Sequence, residues 1–360
     1  MLGEKHNRIN TEINDEQENP KKIPKSSESE KSSSESQNPN KDYYFNSYST
    51  YNIHEEMLKD KARTGAYQKA ILGNSYLFKD KIVLDVGSGT GILSFFAAQA
   101  GAKHVYGIEY ADIADYSLEI IKKNKMEEKI TIIKSKVEEA ELPVDKVDII
   151  LSEWMGYFLL YESMLDCVLF ARDKWLKKDG VMFPDRAQMF LAGLEDIKYK
   201  YRKINSWNNI FGFNMSCIKE VAIAEPLIDS CTKEYIISSI CKIYDIDLYK
   251  IKKEELDFIS GYQIEFYRDD YFNGLVTWFN VSFNKVKNKV VLGTSPFDCH
   301  THWEQTIFYI EDDIYVKKGQ KLWGNIAVIK DKNNFRFINI KISYHFDEKG
   351  KVIVQQYKIT

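Results

Sequence analysis

No apolar run in the sequence reaches the roughly 18 residues that a helical membrane span needs, and the amino terminus is polar from Gly3 onward. Neither a signal peptide nor a transmembrane helix is therefore expected, and the Asn-x-Ser matches at Asn214 and Asn280 carry little weight. Neither sign of charge is in excess, with 50 lysines and arginines against 53 aspartates and glutamates and a net charge of -3. A general binder of nucleic-acid phosphates would carry a basic surplus, so direct nucleic-acid binding is not expected. Cysteine is scarce: Cys167, Cys217, Cys231, Cys241 and Cys299 are odd in number and include no C-x-x-C pair. That spacing disfavours a disulfide framework and suits reduced thiols in the cytoplasm and nucleus.

Large apolar side chains are almost missing from residues 1–41, and 26–36 (SSESEKSSSES) is of low complexity. Such a segment cannot bury enough surface to offset its ordering entropy, so it reads as a disordered tail. Aromatic residues arrive abruptly after it, and 42–183 reads as N-terminal helices followed by alternating strands and helices. The strands are KIVLDV (81–86), HVYGIE (104–109), KITIIK (129–134), VDIILSE (147–153) and a last one near 180–183. Helices are expected over about 90–100, 113–124 and 161–176. This alternation predicts an α/β fold, a doubly wound Rossmann-like domain with a parallel sheet. From 184 to 360 the pattern becomes strands between polar turns, as in GLVTWFNVSF (274–283), which predicts an antiparallel β-barrel domain. An inserted helical arm at about 197–221 carries Tyr199, Tyr201, Trp207, Phe211 and Phe213, more apolar surface than a monomer usually exposes, and predicts a homodimer.

DVGSGTG (85–91) follows a strand and opens a helix, where open parallel sheets bind ligands. Ile92 stands where the dinucleotide fingerprint requires glycine, so the loop fits a nucleoside without pyrophosphate better than NAD, which stays the alternative. Glu109 ends the next strand, where a carboxylate can accept both ribose hydroxyls, and Glu138 follows the third strand, where an adenine would lie. Together these favour an S-adenosylmethionine site.

SEWMGYFLLYESM (152–164) sets Glu153 and Glu162 among aromatic and aliphatic residues, where an unpaired charge is expensive. They call for a cation, either a substrate's or a lysine or arginine of the same chain. The cluster Cys299-His300-Thr301-His302 lacks a second ligand pair, so no metal is expected.

VLDVGSGTG, GIE, VEE, SEWMGYFLLYESM and THW (301–303) stand in this order, and from about Lys41 to the C-terminus the chain resembles the type I protein arginine methyltransferases. The resemblance implies that Tyr44 and Tyr48 belong to a motif folding over the cofactor. It implies that Arg63 holds the methionine carboxylate, and that Asp85, Gly87, Gly89, Glu109 and Glu138 are cofactor contacts. Tyr48, Met57, Met164 and Trp303 fall in the substrate pocket. Glu153 and Glu162 become catalytic, joined by His302 and Asp60, which either relay a proton or only dock the barrel to the N-terminal helices. A cis Pro184 at the domain junction and dimerisation through the 197–221 arm follow from the same likeness. The implied products are monomethylarginine and asymmetric dimethylarginine, on histone tails and glycine- and arginine-rich RNA-binding proteins. A small-molecule methyltransferase and an idle scaffold for arginine-rich tails are the competing readings. Two departures stand out: Glu109 is followed by Tyr110-Ala111-Asp112, and Phe297-Asp298-Cys299 precedes His300, where small polar residues are expected.

Overall fold

Among the described residues four helices precede the first strand: α1 (Pro39–Tyr48), α2 (Tyr51–Lys59), α3 (Lys61–Leu72) and α4 (Ser75–Phe78). The computed structural model describes residues 39–346 and 350–360. The expected tail thus lies outside the described residues, save for its last three positions, which are helical. Asp60 ends α2 and caps α3, its side chain accepting a hydrogen bond from the Arg63 N–H at 2.9 Å. That bond satisfies one of the donors that a helix start leaves without a partner.

The expected alternation follows as β1 (Ile82–Val86), α5 (Ile92–Gln99), β2 (His104–Glu109), α6 (Ile113–Lys123), β3 (Ile130–Lys134), β4 (Val147–Leu151), α7 (Met164–Trp175) and β5 (Leu176–Phe183). These strands pair in parallel in the order β3-β2-β1-β4-β5. The order reverses at β1, so a crevice opens beyond the carboxyl ends of β1 and β4. Helix α5 starts two residues later than the sequence suggests, because Gly91 holds a left-handed φ of 89° at its cap. Helix α7 starts three residues late. Tyr161–Ser163 form a separate 3-10 turn in which Glu162 has φ 72°.

The Phe183–Pro184 bond is cis, as the resemblance implies. Beyond it come β6 (Arg186–Leu194), α8 (Ile197–Lys203), α9 (Lys219–Ala224), β7 (Leu227–Asp229), β8 (Cys241–Asp247), β9 (Phe258–Glu265), β10 (Asp270–Phe283), β11 (Val290–Gly293), β12 (Gln305–Val316), β13 (Lys321–Lys330), β14 (Ile338–His345) and β15 (Ile353–Ile359). One antiparallel sheet runs β7-β12-β10-β6-β8, with β11 on β10, and a second runs β15-β14-β13-β9. Together they make a barrel-like domain. Strand β10 lies between β6 and β12 and is buried along most of its length, which explains its near-continuous apolar run. The main core passes without interruption from Val83 and Ile150 of the parallel sheet to Phe279 and Tyr357 of the barrel-like domain. Residues on both sides of Pro184 are thereby held rigidly enough to share one site.

Candidate active site

The loop after β1 turns by virtue of its glycines. Gly87 has φ 71°, and a Cβ there would fall 2.1 Å from the Met164 Cε, so the backbone lies directly against that side chain. The Gly89 N–H donates to Glu109 Oε2 at 2.9 Å, and the Ala111 N–H donates to Oε1 at 2.8 Å. Burial raises the Glu109 carboxyl above its ordinary value, opposed by these backbone donors. Asp85 is fully buried behind the loop, off the cavity wall, contrary to a direct-contact reading. Its Oδ2 accepts from the Ser94 hydroxyl at 2.7 Å, and burial pushes its carboxyl up to about 7. It braces the loop through α5.

The segment between β4 and α7 doubles back on itself. Gly156 donates its N–H to the Leu159 carbonyl at 3.0 Å, and a Cβ on Gly156 would fall 2.2 Å from the Tyr161 carbonyl oxygen. No other residue fits there. Phe158, Leu159, Glu162 and Ser163 all take positive φ, a conformation that costs about 1–3 kcal/mol at each such residue. The barrel-like domain opposes that strain. The Glu162 N–H donates to the Arg336 carbonyl at 2.9 Å, Arg336 Nη1 donates to the Glu162 carbonyl at 2.7 Å, and Ser163 Oγ donates to the Phe335 carbonyl at 2.6 Å.

The two carboxylates differ in their partners. Glu153 Oε2 accepts from Arg63 Nε at 2.8 Å and lies 2.7 Å from Arg63 Nη2, while its Oε1 accepts from the Met155 N–H at 3.2 Å. Glu162 Oε2 accepts from the Tyr48 hydroxyl at 2.7 Å. Burial pushes the Glu162 carboxyl up to about 7. The Tyr48 hydrogen bond and the Arg336 charge oppose the rise, and the Glu153 charge adds to it. Burial likewise holds the Tyr48 hydroxyl well above its ordinary range, so it remains a donor.

His302 comes from the loop before β12. Its backbone N–H and its Nδ1 both reach Asp60 Oδ2, at 3.0 and 2.8 Å. Burial would raise the Asp60 carboxyl, but the hydrogen bonds from His302 and from the Arg63 N–H outweigh it and hold the group below its usual range. Trp303 donates its indole N–H to the Met155 carbonyl at 2.8 Å and is almost wholly buried, so it forms part of the wall.

These groups surround one cavity of about 530 Å³. Tyr44, Tyr48, Met57, Arg63, Gly87, Gly89, Glu109, Glu138, Glu153, Glu162, Met164, His302 and Trp303 line it, with Asp60 and Asp85 one layer behind. The sequence reading missed Arg336 and His54. The Arg336 guanidinium lies 3.5 Å from the Tyr44 ring centroid, and His54 Nε2 lies 2.7 Å from the Tyr48 carbonyl. Neither belongs to a motif, and each reaches the site only through tertiary packing.

Residues 71–166 match a family described as ribosomal protein L11 methyltransferase, and 185–349 match one described as the arginine methyltransferase oligomerization subdomain. Protein arginine N-methyltransferase 1 of Chlamydomonas reinhardtii is 52% identical over 320 residues, spanning 88% of this chain and 93% of that protein. Protein arginine N-methyltransferase 8-B of Danio rerio is 51% identical over 312 residues, 87% of this chain and 74% of that protein. The chain belongs to the protein arginine N-methyltransferase family. Among solved structures, the Trypanosoma brucei PRMT1 enzyme–prozyme heterotetrameric complex with AdoHcy is 40% identical with a TM-score of 0.84, covering 87% of this chain and 100% of that one. Arabidopsis thaliana protein arginine methyltransferase 10 is 30% identical with a TM-score of 0.79, covering 88% and 100%.

Within this arginine methyltransferase the oligomerization match contains the 197–221 arm, and the structure corrects its expected surface. Tyr199 stacks on Tyr309 at 6.3 Å and Trp207 donates its indole N–H to the Lys203 carbonyl at 2.9 Å, so both are engaged within the protomer. The exposed set is Ile197, Tyr201, Phe211, Phe213 and Val221, with Phe211 99% exposed. Only α8, two 3-10 turns and α9 are helical, since Gly212 and Phe211 take positive φ and interrupt the arm.

Proposed function

We propose that this chain is a type I enzyme, moving methyl groups from S-adenosylmethionine to guanidinium nitrogens of protein arginines and giving monomethylarginine and then asymmetric dimethylarginine. The observation that carries the reading is the placement of Glu153 and Glu162 on one buried cavity wall beside the glycine loop. The residues fit the cofactor. The Glu109 carboxylate, on the cavity wall, accepts from the Gly89 and Ala111 N–H groups and keeps acceptor capacity for ribose hydroxyls. Ser88 Oγ on the cavity wall is buried with no hydrogen-bond partner among the described residues. Glu138 would take the adenine amino group and Arg63 the methionine carboxylate. When bound, the cofactor supplies an electrophilic sulfonium methyl.

The protein's part is to hold the other reactant. A guanidinium has a pKa of about 12.5–13.8, so removing its proton at neutral pH before attack costs roughly 8 kcal/mol. Glu153 and Glu162 avoid that cost by binding the cation. Two carboxylates localise the positive charge and free one nitrogen's lone pair, and their charge-assisted bonds align that nitrogen. Glu153 already pairs with a guanidinium, that of Arg63. Tyr48 fixes the orientation of Glu162, and the raised affinity of Glu162 for a proton suits it to receive the one released as the new bond forms. His302 lines the same cavity, and its pairing with Asp60 docks the loop before β12 onto α2 and α3.

Histone tails and glycine- and arginine-rich RNA-binding proteins suit a site that takes a single cation into a narrow slot. The exposed arm supports a homodimer, and the five free thiols support residence in the cytoplasm and nucleus. Labelled cofactor offered with arginine peptides and their lysine counterparts tests the reading. Label should enter the arginine peptides alone, and transfer to lysine peptides or only to metabolites would overturn it.

A further inference from the structure

Tyr110 stands where the family resemblance leads one to expect a small polar residue, and the structure gives its ring two neighbours. The Phe45 ring of α1 meets it edge-to-face, with centroids 4.4 Å apart and planes at 72°. The Lys136 ammonium lies 5.1 Å from its centroid. Beside this contact the Asp112 N–H donates to Ser49 Oγ at 3.2 Å, just past the end of α1. Phe45, Tyr110 and Lys136 all line the cavity, next to the Glu109 carboxylate. The Tyr110 hydroxyl makes no hydrogen bond among the described residues, so the ring carries the interaction.

Helix α1 has 10 residues, shorter than the ~12–15 at which an isolated helix persists in water. Its order must come from what it touches. On one side Tyr44 lies against Arg336 and Tyr48 bonds Glu162; on the other, Phe45 rests on Tyr110. We propose that Tyr110 is a positioning residue that clamps α1 across the cofactor cleft, so that the aromatic pair with Phe45 sets how long the cofactor stays bound. This rests on the cofactor assignment made above. An edge-to-face pair adds about 0.5–1.5 kcal/mol beyond its buried area, and roughly 1.4 kcal/mol corresponds to a factor of ten in affinity.

The test compares the full chain with its Tyr110→Ala, Tyr110→Phe and Phe45→Leu variants. S-adenosylhomocysteine binding is followed by calorimetry, its release by stopped flow, and residues 44–49 by hydrogen exchange with and without the ligand. Tyr110→Ala should bind about tenfold more weakly, mainly through faster release, with faster exchange in α1 and a raised cofactor KM at unchanged peptide KM. Tyr110→Phe should stay within about twofold, since the ring contact survives. Combining Tyr110→Ala with Phe45→Leu should add little to either alone, because both remove the same contact. Release and α1 exchange unchanged in Tyr110→Ala would overturn the clamp. If the parent protein fails to bind S-adenosylhomocysteine, the cofactor assignment falls instead, and ligand-free exchange still decides whether Tyr110 orders α1.

Discussion

The Arg63 guanidinium lies on a single oxygen of Glu153, with Nε at 2.8 Å and Nη2 at 2.7 Å from Oε2, and both side chains are almost fully buried. Among the described residues no cation lies so close to the Glu162 carboxylate, which accepts from the Tyr48 hydroxyl at 2.7 Å while the Arg336 guanidinium bonds its backbone carbonyl. The two glutamates therefore depend on their surroundings in different ways.

Glu153→Gln and Glu162→Gln should each abolish methyl transfer, since an amide keeps the shape but cannot stabilise a guanidinium. Their stabilities should separate. Glu153→Gln leaves the buried Arg63 charge uncompensated and should cost about 3 kcal/mol, the low end for breaking such a pair. Glu162→Gln should not destabilise the fold at neutral pH. Denaturant melts beside calorimetric binding of S-adenosylhomocysteine separate the effects; substantial turnover in both variants would sink the double-carboxylate mechanism.

The Glu162 carboxyl, raised by burial from 4.5 to about 7, makes a prediction about pH. Between those values the folded protein keeps a proton that the unfolded chain has lost, so this group weakens folding progressively as the pH rises, and the penalty is constant above the folded value. Glu162→Gln should then melt higher than the parent at about pH 8, and the difference should vanish as the pH falls below the unfolded value of 4.5. For activity the ionised form is needed, so kcat/KM should fall on the acid side with an apparent pKa near 7. Arg336→Gln should shift that limb upward, because the Arg336 charge lowers the Glu162 pKa. An acid limb left in place by Arg336→Gln would argue that another group controls it.

Exposed Phe211 and Phe213 predict self-association through the arm. Replacing both by Asp, or deleting 197–221, should give a monomer by light scattering and weaken cofactor binding. A variant that remains dimeric would place the interface elsewhere.

Met57 and Met164 line the cavity, with Met57 half-buried beside Arg63, whose Nη1 donates to the Met57 carbonyl at 3.2 Å. A slim, flexible side chain leaves room for a nitrogen that already bears one methyl. Met57→Phe should slow the second transfer or leak symmetric product. On fragmentation asymmetric dimethylarginine loses dimethylamine and the symmetric isomer loses monomethylamine. Chiefly monomethylamine loss from the parent enzyme's products would refute the type I assignment while sparing arginine methylation.

The parallel sheet, the glycine loop and the position of the glutamate pair were legible from local pattern alone. Each rests on residues close in sequence: apolar runs that must be buried on both faces, and glycines where the chain turns against a neighbour. The start of α7 was not legible, because YESM has no helix-breaking residue. Contacts from Phe335 and Arg336, more than 170 positions away in the chain, stabilise the positive φ of Glu162 and Ser163. The same reason hid the engagement of Arg63 with Glu153, the stacking of Tyr199 on Tyr309 and the pairing of Phe45 with Tyr110. The sequence by itself determined which residue types meet the chemistry. Which of their atoms touch, and which charges end up buried together, was decided only by packing the barrel-like domain and the N-terminal helices against the sheet, since burial and long-range hydrogen bonds exist only in the assembled core.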